Sequence, residues 1–152
     1  MLYYTINRTS LRDRIEEEVS HVANDAYADN GQSLYDSIIV TEKDEEMVGR
    51  FIDDAINAFV NRVFDICKYA YITDTLGSQP VEHLEFYVPD FDETMEDAMK
   101  EEVTKFIVLF VCVSLFQTRR PMVVPQFNDR MQAALTKAVT LLKSRKSPIM
   151  LW

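Results

Sequence analysis

The chain is 152 residues long, 47% hydrophobic and formally −9 at neutral pH, with 25 Asp and Glu against 16 Lys and Arg. That length fits one domain and suffices to bury a core without metals or disulfides. The hydrophobic content excludes a disordered chain, three Gly and five Pro leave little room for structureless loops, and the acidic balance speaks against a dedicated nucleic-acid reader.

Residues 1–6 (MLYYTI) are apolar and aromatic, and fit a short strand or an arm laid on a surface. Thr9 or Ser10 then offers a hydroxyl to cap a first helix. Leu11, Ile15, Val19, Val22 and Ala26 form one stripe at steps of three and four, and Asn30-Gly31 reads as its left-handed C-terminal cap. Leu34, Tyr35, Ile38, Ile39 and Val40 pin the following loop to the core. The N-terminus lacks the basic start and long apolar region of a signal peptide, so the expectation is a soluble, unsecreted chain.

Thr41 opens the second helix, with Asp44 completing a shortened capping box and Glu42, Glu45 and Glu46 loading the positive end of its dipole. Val48, Ile52, Ala55, Phe59 and Val63 make its apolar stripe, widened by Phe51, Ile56, Val60 and Phe64, and the helix ends near Lys68. Between residues 69 and 88 the period changes to two. Leu84, Phe86 and Val88 alternate with His83, Glu85 and Tyr87, and 69–73 supplies a partner strand around a turn at 76–80. A lone hairpin is marginal in water, so this one leans on helices, takes a third strand from a terminus, or pairs with another copy.

Residues 106–116, FIVLFVCVSLF, are the organising stretch. An acidic lead-in, Arg119-Arg120 at the exit and the stripe Met95, Met99, Val103, Phe106, Phe110, Val113 predict a helix over 93–118. Its second half is apolar on every side, as in a helix surrounded by partners, yet too short to span a membrane. Phe110 is expected to be among the costliest residues to truncate. Pro121 to Pro125 reads as an extended link. A last helix over 127–144 carries Met131, Leu135, Ala138 and Leu142, with Ala134 and Leu141 beside them. The arm 145–152 follows and ends on Pro148, Ile149, Met150, Leu151 and Trp152, large apolar groups that suit an assembly element.

Motifs that carry chemistry are few. Asp13, Glu17, His21 and Asp25 line one side of the first helix, but a di-metal bundle needs Glu-x-x-His pairs from several helices. Glu42/Glu45 and Glu93/Glu96 are Glu-x-x-Glu pairs that could hold Mg²⁺ in an all-α nucleotide pyrophosphohydrolase, although helix starts favour acids for their own reasons. Cys67 and Cys112 sit in apolar helical patterns and are expected as buried free thiols in an intracellular or assembly setting. No Gly-rich phosphate loop, Cys-x-x-Cys pair or GxSxG elbow occurs. Arg119, Arg120, Lys137, Lys143, Arg145 and Lys146 are the one basic concentration; helix C-termini account for them, and incidental contact with DNA phosphates is the sharper alternative. No metal, cofactor or catalytic residue is expected.

Charge is unevenly spread. Residues 1–102 hold 24 of the 25 acids against 8 Lys and Arg, whereas residues 103–152 hold Asp129 alone against 8. The two parts either meet inside one subunit or present complementary patches that favour head-to-tail association of copies.

These features predict a single mainly α domain: a four-helix bundle-like core, a β-hairpin (about 69–88) between the second and third helices, and extended apolar termini. In layout the chain resembles the head-to-tail connector (adaptor) proteins of tailed phages, through its helical core, the VEHLEFYV strand, the charge-split halves and the PIMLW arm. The resemblance implies a non-catalytic virion subunit assembled in the host cytoplasm, forming a ring with copies of itself between portal and tail proteins. The alternatives are a small all-α metal-dependent nucleotide pyrophosphohydrolase and a cytosolic protein-binding adaptor.

Overall fold

The computed structural model describes residues 1–73 and 82–146. Its centre is α4 (Glu96–Arg119), entered through the 3-10 turn Glu93–Met95. Ile107 and Val111 on one side of this helix, and Cys112 and Phe116 on another, have no exposed surface. Burial of both sides requires neighbours on each. They are α1 (Arg8–Asn24), α3 (Glu45–Val63), α5 (Val124–Leu142) and the short α2 (Tyr35–Ile38). Phe110 departs from expectation: with Ser114 it is one of two residues in 106–116 that are only half-buried. The fold is mainly α, with four long helices and a small sheet, as the sequence predicts.

The sheet has order β1-β3-β2, all antiparallel, from β1 (Leu2–Thr5), β2 (Tyr69–Thr73) and β3 (His83–Tyr87). The predicted hairpin is β2–β3, and the N-terminal MLYYTI segment supplies the third strand. The predicted turn at 76–80 and the arm residues 148–152 lie outside the described residues. Leu2, Tyr4, Leu84 and Phe86 form the buried face of the sheet. Phe86 meets Phe59 of α3 edge-on with ring centroids 5.9 Å apart, and the Tyr4 hydroxyl lies 2.7 Å from Thr104 Oγ1 of α4. Three strands on a helical face remove the marginality of an isolated hairpin.

Several local expectations change. Asn7, not Thr9 or Ser10, caps α1: it is the last extended residue after β1, and its side chain accepts the Ser10 amide at 3.0 Å. Helix α1 ends at Asn24, six residues before Asn30-Gly31. Gly31, at φ 82, instead reverses the chain inside a tight turn bridged by Tyr27 and Ser33. The link from Pro121 to Pro125 is helical, a 3-10 turn Pro121–Val123 running into α5. Both prolines fall in first turns, where no backbone amide is needed. Phe64 leaves the apolar stripe of α3, because the helix ends at Val63, and it stands 65% exposed.

The capping box over Thr41 and Asp44 forms as predicted, with the Thr41 amide donating to Asp44 at 3.0 Å. Helix α5 runs back along α4, and Phe127 packs on Phe116 at 4.8 Å. The two differently charged parts of the sequence meet through Arg119–Asp44, Arg130–Glu18 and Lys146–Glu93. Arg8, Arg12 and Arg14 also pair with acids inside the acidic part. Part of the charge asymmetry is therefore compensated within the chain.

Candidate functional site

The face of the sheet turned away from the helices holds a cluster of polar and aromatic side chains. Odd-numbered residues of all three strands share it by register: Tyr3 and Tyr71 flank Glu85, Thr5 flanks His83, and Tyr69 flanks Tyr87. Tyr69 stacks on Tyr71 and on Tyr87 with centroids 5.6 Å apart in each case, and Lys68 Nζ sits 5.1 Å above the Tyr87 ring. Tyr3 covers His83 edge-on at 5.8 Å, and Thr5 Oγ1 approaches His83 Nδ1 at 3.3 Å. A hydrogen-bonding interaction with the Glu85 carboxylate beside it, and then desolvation, push the Tyr71 phenol up to about 12.

His83 is 5% and Glu85 7% exposed, although they lie on the outer side of the sheet. His83 Nε2 and Glu85 Oε2 are buried and have no hydrogen-bond partner among the described residues. Buried polar atoms are almost always satisfied, so two orphans on one face single this face out. Sequence reasoning took His83, Glu85 and Tyr87 for the solvated side of a half-buried strand. The alternation in 3–5 and 69–71 puts tyrosines on one side of each strand, but only the pairing register sets them beside His83 and Glu85.

The carboxylate pairs do not come together. Asp44, between Glu42 and Glu45, is bound to Arg119 at the C-terminal end of α4, whereas Glu93 and Glu96 lie at its N-terminal end. About 36 Å of helix separates them at 1.5 Å per residue. Glu45 pairs with Arg12, Glu93 with Lys146 and Glu96 with Lys100. Asp13, Glu17, His21 and Asp25 line α1 as predicted, with His21 Nε2 4.0 Å from Glu17. Among the described residues no three His, Cys, Asp or Glu side chains converge as metal ligands would.

The basic residues are divided as well. Arg119 and Arg120 lie where α4 ends and α5 begins, while Lys143, Arg145 and Lys146 lie at the far end of the antiparallel α5. Arg119 is spent on Asp44 and the carbonyls of Ile38 and Ile39, and Arg145 donates to the Leu142 carbonyl. Helix C-termini thus take these cations, as dipoles favour. Lys137 lines a groove of about 490 Å³ between α1 and α5, floored by α4, together with Arg14, His21, Lys105 and Arg130. Arg14, Lys105 and Arg130 are paired there with Glu101, Glu102 and Glu18, so the groove shows a ligand no single sign.

Both cysteines are free and buried. Desolvation pushes the Cys67 thiol up to about 11 and raises Cys112 further, which keeps both protonated and unreactive near neutral pH. Among the described residues no helix is long and apolar enough to cross a membrane. No family model matches the sequence, and neither curated proteins nor solved structures provide a match.

Proposed function

We propose that this chain is a non-catalytic structural subunit that associates head to tail with copies of itself into a ring, in the manner of the phage connectors its layout resembles. The observation that carries the reading is where large apolar side chains remain exposed. Phe64 (65%) just after α3 and Ile72 (44%) in β2 lie beside the sheet, where Met1 (51%), Tyr3 (40%) and Tyr71 (46%) are exposed too, whereas Tyr27 (58%) follows α1 and Met122 (70%) lies where α4 turns into α5. A twofold dimer buries one self-complementary patch, whereas two different patches suit heterologous contacts, which close into a ring when the rotation closes. The separation of the carboxylate pairs, with Glu45, Glu93 and Glu96 ion-paired, favours a structural role over metal-dependent hydrolysis. Portal and tail proteins would meet the two rims of such a ring, DNA contact would be incidental, and the location would be the virion.

Complementation of two charge variants tests the proposal. Phe64→Glu and Met122→Glu each place a charge in one patch and should each abolish the ring. Mixed, they retain one intact pair of patches and should form a 1:1 dimer that grows no further. Variants that assemble like the wild type, or a mixture that stays monomeric, would overturn the head-to-tail arrangement. Mg²⁺-dependent nucleotide turnover by a monomer would overturn the structural role itself.

A further inference from the structure

We propose that the outer face of the sheet binds an arginine side chain presented by a partner polypeptide, seated between Tyr3 and Tyr71 with its guanidinium on Glu85. Among the described residues Glu85 is the only buried carboxylate, and its Oε2 has no hydrogen-bond partner. A carboxylate taken out of water is costly unless a cation and hydrogen bonds compensate it. Elsewhere in the chain the partly buried acids Glu82, Asp44 and Glu18 are each held by an arginine. Glu85 is more buried than any of them and has no such arginine among the described residues.

The surroundings select a guanidinium. The register sets Tyr3 and Tyr71 directly opposite Glu85, one on either side, and Cβ atoms so paired lie about 4.5–5.5 Å apart. Their rings, 40% and 46% exposed, offer faces on which a flat cation stacks. The chain contains this arrangement once already: Arg130 pairs with Glu18 while its guanidinium lies 4.9 Å over the Phe127 ring. Lys68, over the Tyr87 ring, shows that the tyrosine cluster accepts a cation. His83 Nε2, the second orphan, is on the same face two residues from Glu85, about 7 Å along the strand. With Nδ1 donating to Thr5 Oγ1, Nε2 is an acceptor, and the five N–H donors of one guanidinium can serve both orphans. A lysine ammonium is compact and strongly hydrated and lacks that planar fork. The acidic balance of residues 1–102 draws cations to this part of the chain. Rotation of either exposed tyrosine ring, a fast side-chain event, opens the way to Oε2.

Saturation-transfer NMR on the full chain tests this with acetyl-Gly-Arg-Gly-amide as the probe. The same peptide carrying lysine, or citrulline as the uncharged isostere of arginine, serves for comparison. The signals read are the peptide's own, so a ring and a monomer serve equally and the result is independent of ring formation. Transfer to the arginine δ-methylene protons should be clear, several-fold weaker for lysine and absent for citrulline. Glu85→Gln and Tyr71→Ala should each weaken it several-fold with far-UV circular dichroism unchanged, whereas Glu17→Gln, at an exposed acid of α1, should not. The unsubstituted chain alone can overturn the proposal, by showing no transfer to the arginine peptide or equal transfer to the citrulline peptide. Transfer undiminished by Glu85→Gln, or lowered as much by Glu17→Gln, would mean diffuse attraction to an acidic surface and overturns it too.

Discussion

Arg119 grips Asp44 with both arms of its guanidinium: Nη2 lies 2.7 Å from Oδ1 and Nη1 lies 3.1 Å from Oδ2. One residue ends α4 and the other ends the turn that leads into α3, 75 positions earlier in the chain. Nη1 also reaches the Ile39 carbonyl at 3.0 Å, so a single arginine ties the loop before α3 to the central helix. Both side chains are less than a fifth exposed, which places this pair above the usual surface salt bridge.

Stability should follow the charge on Asp44. The Arg119 hydrogen bonds hold its carboxyl below the ordinary value of about 3.9. A depressed acid contributes fully above its unfolded value, and the contribution disappears as pH falls through the folded one. Asp44→Asn should cost about 1.5–3 kcal/mol at pH 7, the range for hydrogen bonds to charged groups. Urea unfolding of both proteins across pH should show a constant difference down to about pH 4 and convergence below it. A difference that grows on acidification would assign the effect to another group.

Truncations in α4 should separate by burial. Phe116 is fully buried against Phe127, so Phe116→Ala should lose about 3–5 kcal/mol through transfer and cavity terms. Phe110 is half-buried, and Phe110→Ala should lose about 1–2 kcal/mol. Urea midpoints decide the order, and equal losses would contradict the placement of Phe110.

Neutralising the carboxylate pairs should leave assembly intact. Glu42→Gln/Glu45→Gln removes helix-start charges and the Arg12 pairing, and Glu93→Gln/Glu96→Gln removes pairs with Lys146 and Lys100. Each lost charge should cost about 0.3–1 kcal/mol. Size-exclusion profiles matching the wild type are the expected result. Loss of a Mg²⁺-dependent nucleotide hydrolysis in either double variant would speak for a metal site.

The central helix was legible because eleven consecutive residues, 106–116, left no polar face to turn outward. Helix α3 was legible from its stripe, and a third strand from a terminus was one of three supports open to a lone hairpin. What failed was local: Asn7 competed with two good capping residues nearby, and Gly31 serves a turn where a helix end was expected. Pro121 and Pro125 were read as breakers although first turns tolerate them. The tyrosine face was hidden for a different reason. Neither β1 nor β2 alone shows that its odd residues flank His83 and Glu85; only the pairing register brings Tyr3 and Tyr71 to either side of Glu85.

Ring formation is the claim on which the functional reading rests, and native mass spectrometry of the wild-type chain over a concentration series tests it most directly. A single closed oligomer of more than two identical subunits, unchanged in stoichiometry as concentration rises, is the predicted result. A monomer at every concentration, or a dimer that grows no further, would contradict the account.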